Sequence, residues 1–264
     1  MNFKSLLYLV VALLATTALQ AQDEDFRKKA PEGGPPPRIE FGEYQQFKLD
    51  NGLEVIVVEN HKLPKVTFQL LVDVPPKAEG DKVGMAGMAG EMLSRGTENR
   101  AKNEIDEAVD FMGASLSTSS GGAYATALSK HKETLIELMA DAVLNPSFPE
   151  EEFEKLQQQQ LSALALQASD PSYISSTVSD VLTYGEDHPY GEIETKESLE
   201  NIKLEDLKEY YNKNFKPNVS YLAFIGDIEV DEARSLAEKY FGDCEKGNVA
   251  REFYPRPKAP EAAQ

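Results

Sequence analysis

The stretch of sequence with the clearest chemical signature is residues 84–97, which read Gly-Met-Ala-Gly-Met-Ala-Gly-Glu-Met-Leu-Ser-Arg-Gly-Thr. The pattern predicts a helix over residues 83–95. Gly84, Gly87 and Gly90 recur every three residues, so they fall along one face of this helix. Each glycine weakens a helix by up to about 1 kcal/mol relative to alanine. We therefore expect close packing against a sheet to compensate for them.

The other residue types that commonly carry catalysis do not form a recognised site. The three histidines lack the spacing of metal ligands; they are His61, His131 and His188. The serine-rich stretch 115–120 has no histidine or lysine base in a recognised arrangement, so a serine hydrolase is not indicated. Cys244 is the only cysteine and has no partner histidine, so we expect an inert thiol and no intramolecular disulfide.

The 84–97 segment resembles the metal-binding helix of the insulinase, pitrilysin and mitochondrial processing peptidase family of zinc proteases. In that family the segment runs roughly Gly-Leu-Ala-His-Phe-Leu-Glu-His-Met-Leu-Phe-Lys-Gly-Thr. Further resemblances follow in the family's order along the chain, and they are Asn51-Gly52-Leu53, Pro64, Gly96-Thr97, His188-Pro189-Tyr190-Gly191, Phe215 to Asn218, Gly226-Asp227 and Lys239-Tyr240-Phe241-Gly242. The chain is identified as a member of this family over residues 43–247.

The resemblance places the family's catalytic positions on residues that cannot perform its reaction. The first zinc histidine falls on Gly87, the catalytic glutamate on Gly90 and the second histidine on Glu91. An intact motif places two histidines on one zinc ion, and its glutamate deprotonates the zinc-bound water. A lone carboxylate at Glu91 gives little affinity for zinc, so we expect it to be solvated or ion-paired.

The family's third zinc ligand, a downstream glutamate, aligns near Ala163. Residues 155–185 contain no glutamate at all. The resemblance therefore implies no catalytic residue, no metal ligand and no cofactor in this chain, although zinc is expected for the family.

One part of the family's machinery does not depend on zinc. Related proteases hold extended peptides by adding them to a sheet edge beside the zinc helix, through main-chain hydrogen bonds. The corresponding strand here supplies our candidate substrate-binding residues, which are Ala114, Ser115, Leu116 and Ser117. An ordinary covered strand remains the open alternative.

Hydrophobic periodicity and turn residues predict an α+β fold, with an antiparallel-rich mixed sheet and helices packed on one face. Asp50-Asn51-Gly52 indicates a hairpin. Further strands are expected at 66–74, at two segments of 114–128 that meet at Gly121-Gly122, and at 221–225. The expected helices after the motif segment are 102–112, 132–144, 149–168, 171–184, 201–214 and 230–240.

Composition along the chain and the family resemblance together predict four regions. Residues 1–21 read as a signal peptide, with Lys4 before an apolar run and a cleavage site near Ala21. Residues 22–42 form a Pro/Gly-rich spacer, 43–247 the peptidase-like domain, and 248–264 a linker-like tail after which the family's second domain is absent. The apolar run is too short to span a bilayer, so we expect export to a bacterial periplasm.

The leading functional hypothesis is a non-catalytic member of the family. It would pair with an intact zinc-peptidase homologue and help to form a peptide chamber in the periplasm. The net charge of −18 argues against nucleic acid as a partner. The alternatives are a stand-alone peptide-binding protein, an active metallopeptidase with an unrecognised metal site, and a fragment of a longer two-domain chain.

Overall fold

The computed structural model describes residues 34, 42–251 and 254. The predicted signal peptide lies outside these residues. The strands are β1 Gln45–Lys48, β2 Glu54–Glu59, β3 Lys65–Val72, β4 Ser115–Ser119, β5 Gly122–Leu128 and β6 Ser220–Gly226. The α-helices are α1 Met85–Met92, α2 Lys102–Met112, α3 Lys132–Leu144, α4 Glu150–Gln167, α5 Pro171–Tyr184, α6 Lys196–Asn201, α7 Leu204–Asn214 and α8 Val230–Phe241. Within the described residues, none of these helices has the length and hydropathy to cross a membrane.

The six strands form one sheet in the order β1-β2-β6-β3-β5-β4. Strands β2 and β6 are parallel, whereas the other four neighbouring pairs are antiparallel. The predicted α+β fold with an antiparallel-rich mixed sheet is therefore confirmed. Strand β4 lies at one edge of this sheet, and β1 lies at the other.

The sheet buries one face beneath helices. Strand β3 alternates buried and more exposed residues along its length, as expected for side chains that point to opposite faces. Its buried residues join those of α3 and α8 in the main hydrophobic core, where Phe68 packs edge-to-face against Phe224 with ring centroids 5.2 Å apart. On the opposite face Leu71, Tyr124 and Ile225 stay exposed.

A second hydrophobic cluster holds helix α1. It combines buried residues of α1 with others from α4, α6 and α7, and its members include Met88, Met92, Phe153, Leu156, Leu199 and Leu207. The motif helix is thus fixed by elements that follow it by 58 residues or more in the sequence.

Several element boundaries differ from the sequence-based expectation by one to three residues. Helix α1 is shorter than 83–95, because Gly84 precedes it in a left-handed conformation with φ of 106°. The helix expected at 201–214 is present as α7 but begins three residues later, at Leu204, and a further short helix that was not expected, α6, precedes it, with extended backbone at Ile202 and Lys203 between the two. The turn between β4 and β5 lies at Ser120-Gly121, one residue earlier than expected, so that Gly122 belongs to β5.

Candidate functional site

Helix α1 begins at a cluster of carboxylates. Glu79 accepts hydrogen bonds from the backbone N–H groups of Gly84 (2.7 Å) and Ala86 (2.8 Å). These N–H groups lie at the start of the helix and have no hydrogen-bond partner within it, so the carboxylate of Glu79 caps the N-terminus of α1. Glu192 in turn accepts from the N–H groups of Glu79 and Gly80. The two glutamates thus tie the loop before α1 to the segment after α5.

Burial disfavours the ionised form of the carboxylates in this cluster. Burial raises the pKa of Glu79, although the N–H groups of Ala86 and Gly84 partly offset it. Burial also raises the pKa of Glu194, and the nearby carboxylates of Glu79 and Glu91 raise it further. A cationic group placed among these carboxylates would relieve their mutual repulsion.

Gly90 lies in direct contact with the turn that follows the edge strand. A Cβ atom built on Gly90 would lie 2.0 Å from the carbonyl carbon of Ser119 and 2.0 Å from the nitrogen of Ser120. No side chain fits at that distance from main-chain atoms. Position 90, where the family resemblance puts the catalytic glutamate, is therefore occupied by the backbone of the β4–β5 turn.

Gly87 has no such neighbour. A Cβ atom built there would meet nothing within 4 Å. The expectation that packing against the sheet accounts for all three glycines is therefore wrong: packing accounts for Gly90, whereas Gly84 takes up a left-handed conformation and Gly87 faces open space.

Glu91, at the position of the second zinc histidine, is engaged with other side chains. Its Oε1 accepts a hydrogen bond from Nε2 of Gln160 at 2.9 Å, and its Oε2 lies 3.8 Å from an Nη2 nitrogen of Arg95. The side chain is 44% exposed. Ala163, at the expected position of the downstream ligand, lies on α4 one helical turn after Gln160.

These four positions do not fit a zinc ion. Gly87, Gly90 and Ala163 carry no ligand atom in their side chains, and the one carboxylate, on Glu91, is hydrogen-bonded to Gln160. The link between Glu91 and Gln160 spans 69 residues of sequence, and for that reason the sequence pattern alone did not indicate it.

The end of the motif segment is held by a buried ion-pair network. Asp141 on α3 is 6% exposed and accepts hydrogen bonds from four side chains. They are Thr97 Oγ1 (2.7 Å), Asn99 Nδ2 (2.6 Å), Arg100 Nη1 (2.8 Å) and Asn145 Nδ2 (3.1 Å). Burial acts to raise the pKa of Asp141, but these hydrogen bonds outweigh it and hold the pKa below its ordinary value. The network anchors Gly96-Thr97, the last landmark of the motif, to the main core.

At two residues of the edge strand β4 the main-chain N–H and C=O groups point away from the rest of the sheet. The N–H of Val72 donates to Gly121 and that of Ser129 donates to Pro64. These two bonds fix which pairs of the β3–β5 ladder are hydrogen-bonded, because such pairs alternate along an antiparallel ladder. The N–H and C=O groups of Ala123, Ala125 and Ala127 therefore point toward β3, and those of the residues between them point toward β4.

Residues Ser115, Ser117 and Ser119 face those intervening residues of β5. Their main-chain groups are therefore used inside the sheet, because hydrogen-bonded pairs alternate along an antiparallel ladder. Leu116 and Thr118 point their N–H and C=O groups away from β5, toward the open edge.

Our four candidate substrate-binding residues accordingly play different parts. Ala114 precedes the strand, and its N–H donates to Val109. Ser115 and Ser117 bond inward, and Leu116 alone of the four presents its main chain to the edge. Thr118, which sequence reasoning missed, is the second such residue; its hydroxyl donates to Ser94 next to helix α1 at 3.1 Å.

A cavity of about 670 Å³ lies beside helix α1. Its lining includes Gly87, the Ser120-Gly121 turn, the segment before α1 and one side of α7, with Glu79, Glu192, Asp206 and Glu209 as its acidic members and Lys77 and Lys213 as its basic ones. The cavity therefore adjoins both the altered motif and the end of the edge strand.

Of the remaining candidates from the sequence, His188 directly precedes Pro189 in the lining of the cavity, whereas His131 and Cys244 are not among the lining residues. His188 accepts a hydrogen bond from the N–H of Tyr190 at 3.1 Å, as a turn residue, and His131 ends a short 3-10 turn before α3. Burial raises the pKa of the Cys244 thiol, which keeps the sulfur in its unreactive protonated form.

Two family profiles match the chain. The profile described as insulinase (peptidase family M16) matches residues 54–182, and that described as peptidase M16 inactive domain matches residues 201–264. Subunit 1 of the mitochondrial cytochrome b-c1 complex of Bos taurus is 30% identical over 211 residues, which cover 75% of this chain and 42% of that protein.

Two solved structures share the fold. The peptidase M16 inactive domain from Pseudomonas fluorescens superposes with a TM-score of 0.71 and 23% identity, over 82% of this chain and 55% of that one. The first half of the periplasmic protease PqqL from Escherichia coli gives a TM-score of 0.69 and 16% identity, over 82% and 49%. The chain thus spans about half the length of these relatives. From its profile matches and its fold, the chain belongs to the insulinase family, peptidase family M16.

Proposed function

We propose that this chain is a non-catalytic insulinase-family protein that pairs with an active zinc peptidase of the same family. The observation that carries the proposal is the contact of Gly90 with the backbone of Ser119 and Ser120. This contact leaves no room for the glutamate that would activate water, and the neighbouring Gly87 supplies no ligand. Two relatives support the proposal by their descriptions: one is an inactive domain, and another is a subunit of a larger complex.

The proposed role of the chain is to form part of the wall of a peptide chamber. The outward-pointing main-chain groups of Leu116 and Thr118 belong to the strand that runs into the Ser120-Gly121 turn, and this turn lines the acidic cavity beside α1. An extended peptide could add to this edge as a further strand without any metal, because the bonds would use backbone atoms. We place this function in the periplasm, on the strength of the signal-peptide pattern in residues 1–21 and the periplasmic PqqL relative.

The proposal that the chain is non-catalytic is tested by incubating the purified chain with quenched fluorescent peptides, with and without added Zn²⁺. We expect no cleavage above the rate of a buffer blank in either condition. Cleavage that requires Zn²⁺ and stops with a chelator would contradict the proposal and support the active-metallopeptidase alternative.

A second candidate function, stand-alone peptide binding, is favoured by the same open edge. It differs from the first in that the isolated chain would bind peptides without a partner. Both functions require the main-chain groups of β4, whereas only the first requires a second family member.

We expect Thr118→Pro to weaken peptide binding at the edge at least tenfold. Proline removes the outward N–H of residue 118 but none of the bonds between β4 and β5, and it is tolerated in edge strands. Loss of one such bond and distortion of the next correspond to about 1.4 kcal/mol or more. The measurement is fluorescence anisotropy with a labelled mixed-sequence decapeptide library, on the chain alone and with its partner.

Thr118→Ala is the matched control, because it removes the hydroxyl that bonds to Ser94 but keeps the backbone donor. Its affinity for peptides is expected to equal that of the unaltered chain. If both variants bind as tightly as the unaltered chain, the edge of β4 is not the peptide site.

A further inference from the structure

Three side chains of types that can bind a metal ion lie together at the end of the sheet opposite to helix α1. Glu59 ends β2, His61 follows it in the β2–β3 turn, and Glu229 immediately precedes α8. One potential ligand atom from each of these residues lies within 4.8 Å of the others. These residues lie close together because β2 and β6 are parallel and Glu59 pairs with Gly226. The chain therefore leaves both strands at the same end of the sheet.

The imidazole of His61 is oriented by a carboxylate. Its Nδ1 lies 2.8 Å from Oδ1 of Asp227, and the other oxygen of Asp227 accepts the hydroxyl hydrogen of Ser129 at 2.6 Å. When Nδ1 donates to Asp227, Nε2 of the neutral ring keeps its lone pair, 3.7 Å from Oε1 of Glu229. A carboxylate bonded to the far nitrogen is the usual outer partner of a metal-binding histidine.

Glu59 is also held in place. Its Oε1 accepts the N–H of Val230 at the start of α8, at 2.8 Å, which leaves the second oxygen available to a ligand. His61 is 46% exposed and Glu229 is 72% exposed, so an ion and its remaining water ligands could enter from solvent.

The charge around the group favours a cation. Three carboxylates, of Glu59, Asp227 and Glu229, surround one imidazole. Lys132 is close enough to act on Asp227, but its Nζ is paired with Glu232 at 2.6 Å. The attraction between these carboxylates and a cation is therefore only partly compensated by the protein itself.

We propose that Glu59, His61 and Glu229 bind a divalent transition-metal ion of the zinc type, with Asp227 as the residue that positions His61. The nitrogen ligand favours zinc over magnesium or calcium, which prefer oxygen ligands alone. The 3.7 Å separation of His61 and Glu229 already approaches the spacing of two ligands that each lie about 2.1 Å from one ion. Bound metal would link the β2–β3 turn to the β6–α8 loop.

This site is separate from the altered motif of the family. The eight residues of β3 lie between the two ends of the sheet, a length of about 23 Å at 3.3 Å per residue. The proposal is therefore independent of whether the protein has a catalytic or a non-catalytic role. Sequence spacing did not indicate the site, because His61 and Asp227 are 166 residues apart.

Isothermal titration calorimetry tests the site, with ZnCl₂ added to the full-length chain after chelator treatment and dialysis. We expect one zinc ion per chain. We expect His61→Gln to abolish this binding, and Asp227→Asn to weaken it about 10- to 100-fold. His188→Gln is the matched control, since it alters a histidine outside the group, and its zinc binding should equal that of the unaltered chain.

Thermal unfolding supplies a second readout, because an ion that binds only the folded state raises the melting temperature. Saturating zinc should raise it for the unaltered chain and for His188→Gln, but not for His61→Gln or for Glu229→Gln, which alters a largely exposed side chain. The proposal is overturned if the chain binds no zinc at 100 µM, if His61→Gln binds as tightly as the unaltered chain, or if Mg²⁺ binds as tightly as Zn²⁺.

Discussion

Gly90→Ala is expected to lower the free energy of unfolding by about 3 kcal/mol or more, the upper end of the usual cost of overpacking. The added methyl group would lie 2.0 Å from two main-chain atoms of the β4–β5 turn and 2.6 Å from Cα of Ser119. Main-chain atoms cannot rotate away as the end of a flexible side chain can. Either α1 must shift away from β4 or the turn must unpair, and both lose packing. Urea unfolding followed by circular dichroism measures the difference.

Gly87→Ala is the matched control, on the same helix and one turn earlier. Its methyl group would enter open space, so the alanine should stabilise the helix by up to about 1 kcal/mol. The two variants are thus expected to change stability in opposite directions. Equal effects at both positions would contradict the packing of α1 described here.

The same contact predicts the outcome of an attempt to rebuild the zinc motif. The triple change Gly87→His, Gly90→Glu and Glu91→His restores the family's ligand pattern on α1 without changing the turn against which Gly90 lies. We expect a poorly folded chain without peptidase activity, and we expect the poor folding to come from Gly90→Glu. Gly87→His with Glu91→His, without the change at Gly90, should fold, since neither position is closely packed.

Asp141→Ala is the second change with a large expected effect, a loss of about 3 kcal/mol or more in the free energy of unfolding. The carboxylate accepts four hydrogen bonds, including one from the guanidinium of Arg100. Alanine would leave those donors without their acceptor in a largely buried setting, which costs more than the ion pair itself contributes. The lost anchor also frees Thr97 at the end of the motif segment.

Glu137→Gln is the control for Asp141, because Glu137 pairs with the same Arg100 but its side chain is 43% exposed, against 6% for Asp141. The loss of the Glu137 charge should lower the free energy of unfolding by no more than about 1 kcal/mol.

The pKa of Asp141 is lowered in the folded chain, so the stabilising effect of this carboxylate is complete above the ordinary aspartate pKa of about 3.9. The effect is lost as the pH falls through the folded value. The difference in the free energy of unfolding between the unaltered chain and Asp141→Ala should therefore be largest at pH 7 and should become smaller in acid.

The fold was predictable where local signals act alone. The bounds of α2, α3 and α5 match the sequence-based expectation, and in α5 the cause is visible: the carboxylate of Asp170 accepts from the N–H groups of Ser172 and Tyr173. Helix α6 was not predicted, and α7 begins three residues later than expected, because the polar sequence around Lys203 continues the helical pattern. The cap that Thr195 provides for α6, with an oxygen bonded to the N–H of Ser198 at 3.0 Å, fixes a start that periodicity did not show.

The candidate site was predictable only in part, because its chemistry depends on contacts between distant segments. The prediction that the family's zinc site is altered rests on the residue types at 87, 90 and 91. They could not show that Gly90 touches the β4–β5 turn, which requires the packing of α1 against β4. Likewise the family resemblance indicated the residues at the sheet edge, but which of them point their main-chain groups outward follows from the register of β3, β5 and β4.

The most direct test of the proposed function is to capture the tagged full-length chain from the periplasm of its own cells and to identify bound proteins by mass spectrometry. We predict recovery of an insulinase-family chain with an intact His-x-x-Glu-His motif, in a fixed ratio to the bait. The reconstituted pair should cleave peptides, and Thr118→Pro in this chain should slow that cleavage. Recovery of the bait alone, or a recovered homologue whose activity does not depend on this chain, would contradict the proposal that it is an accessory subunit.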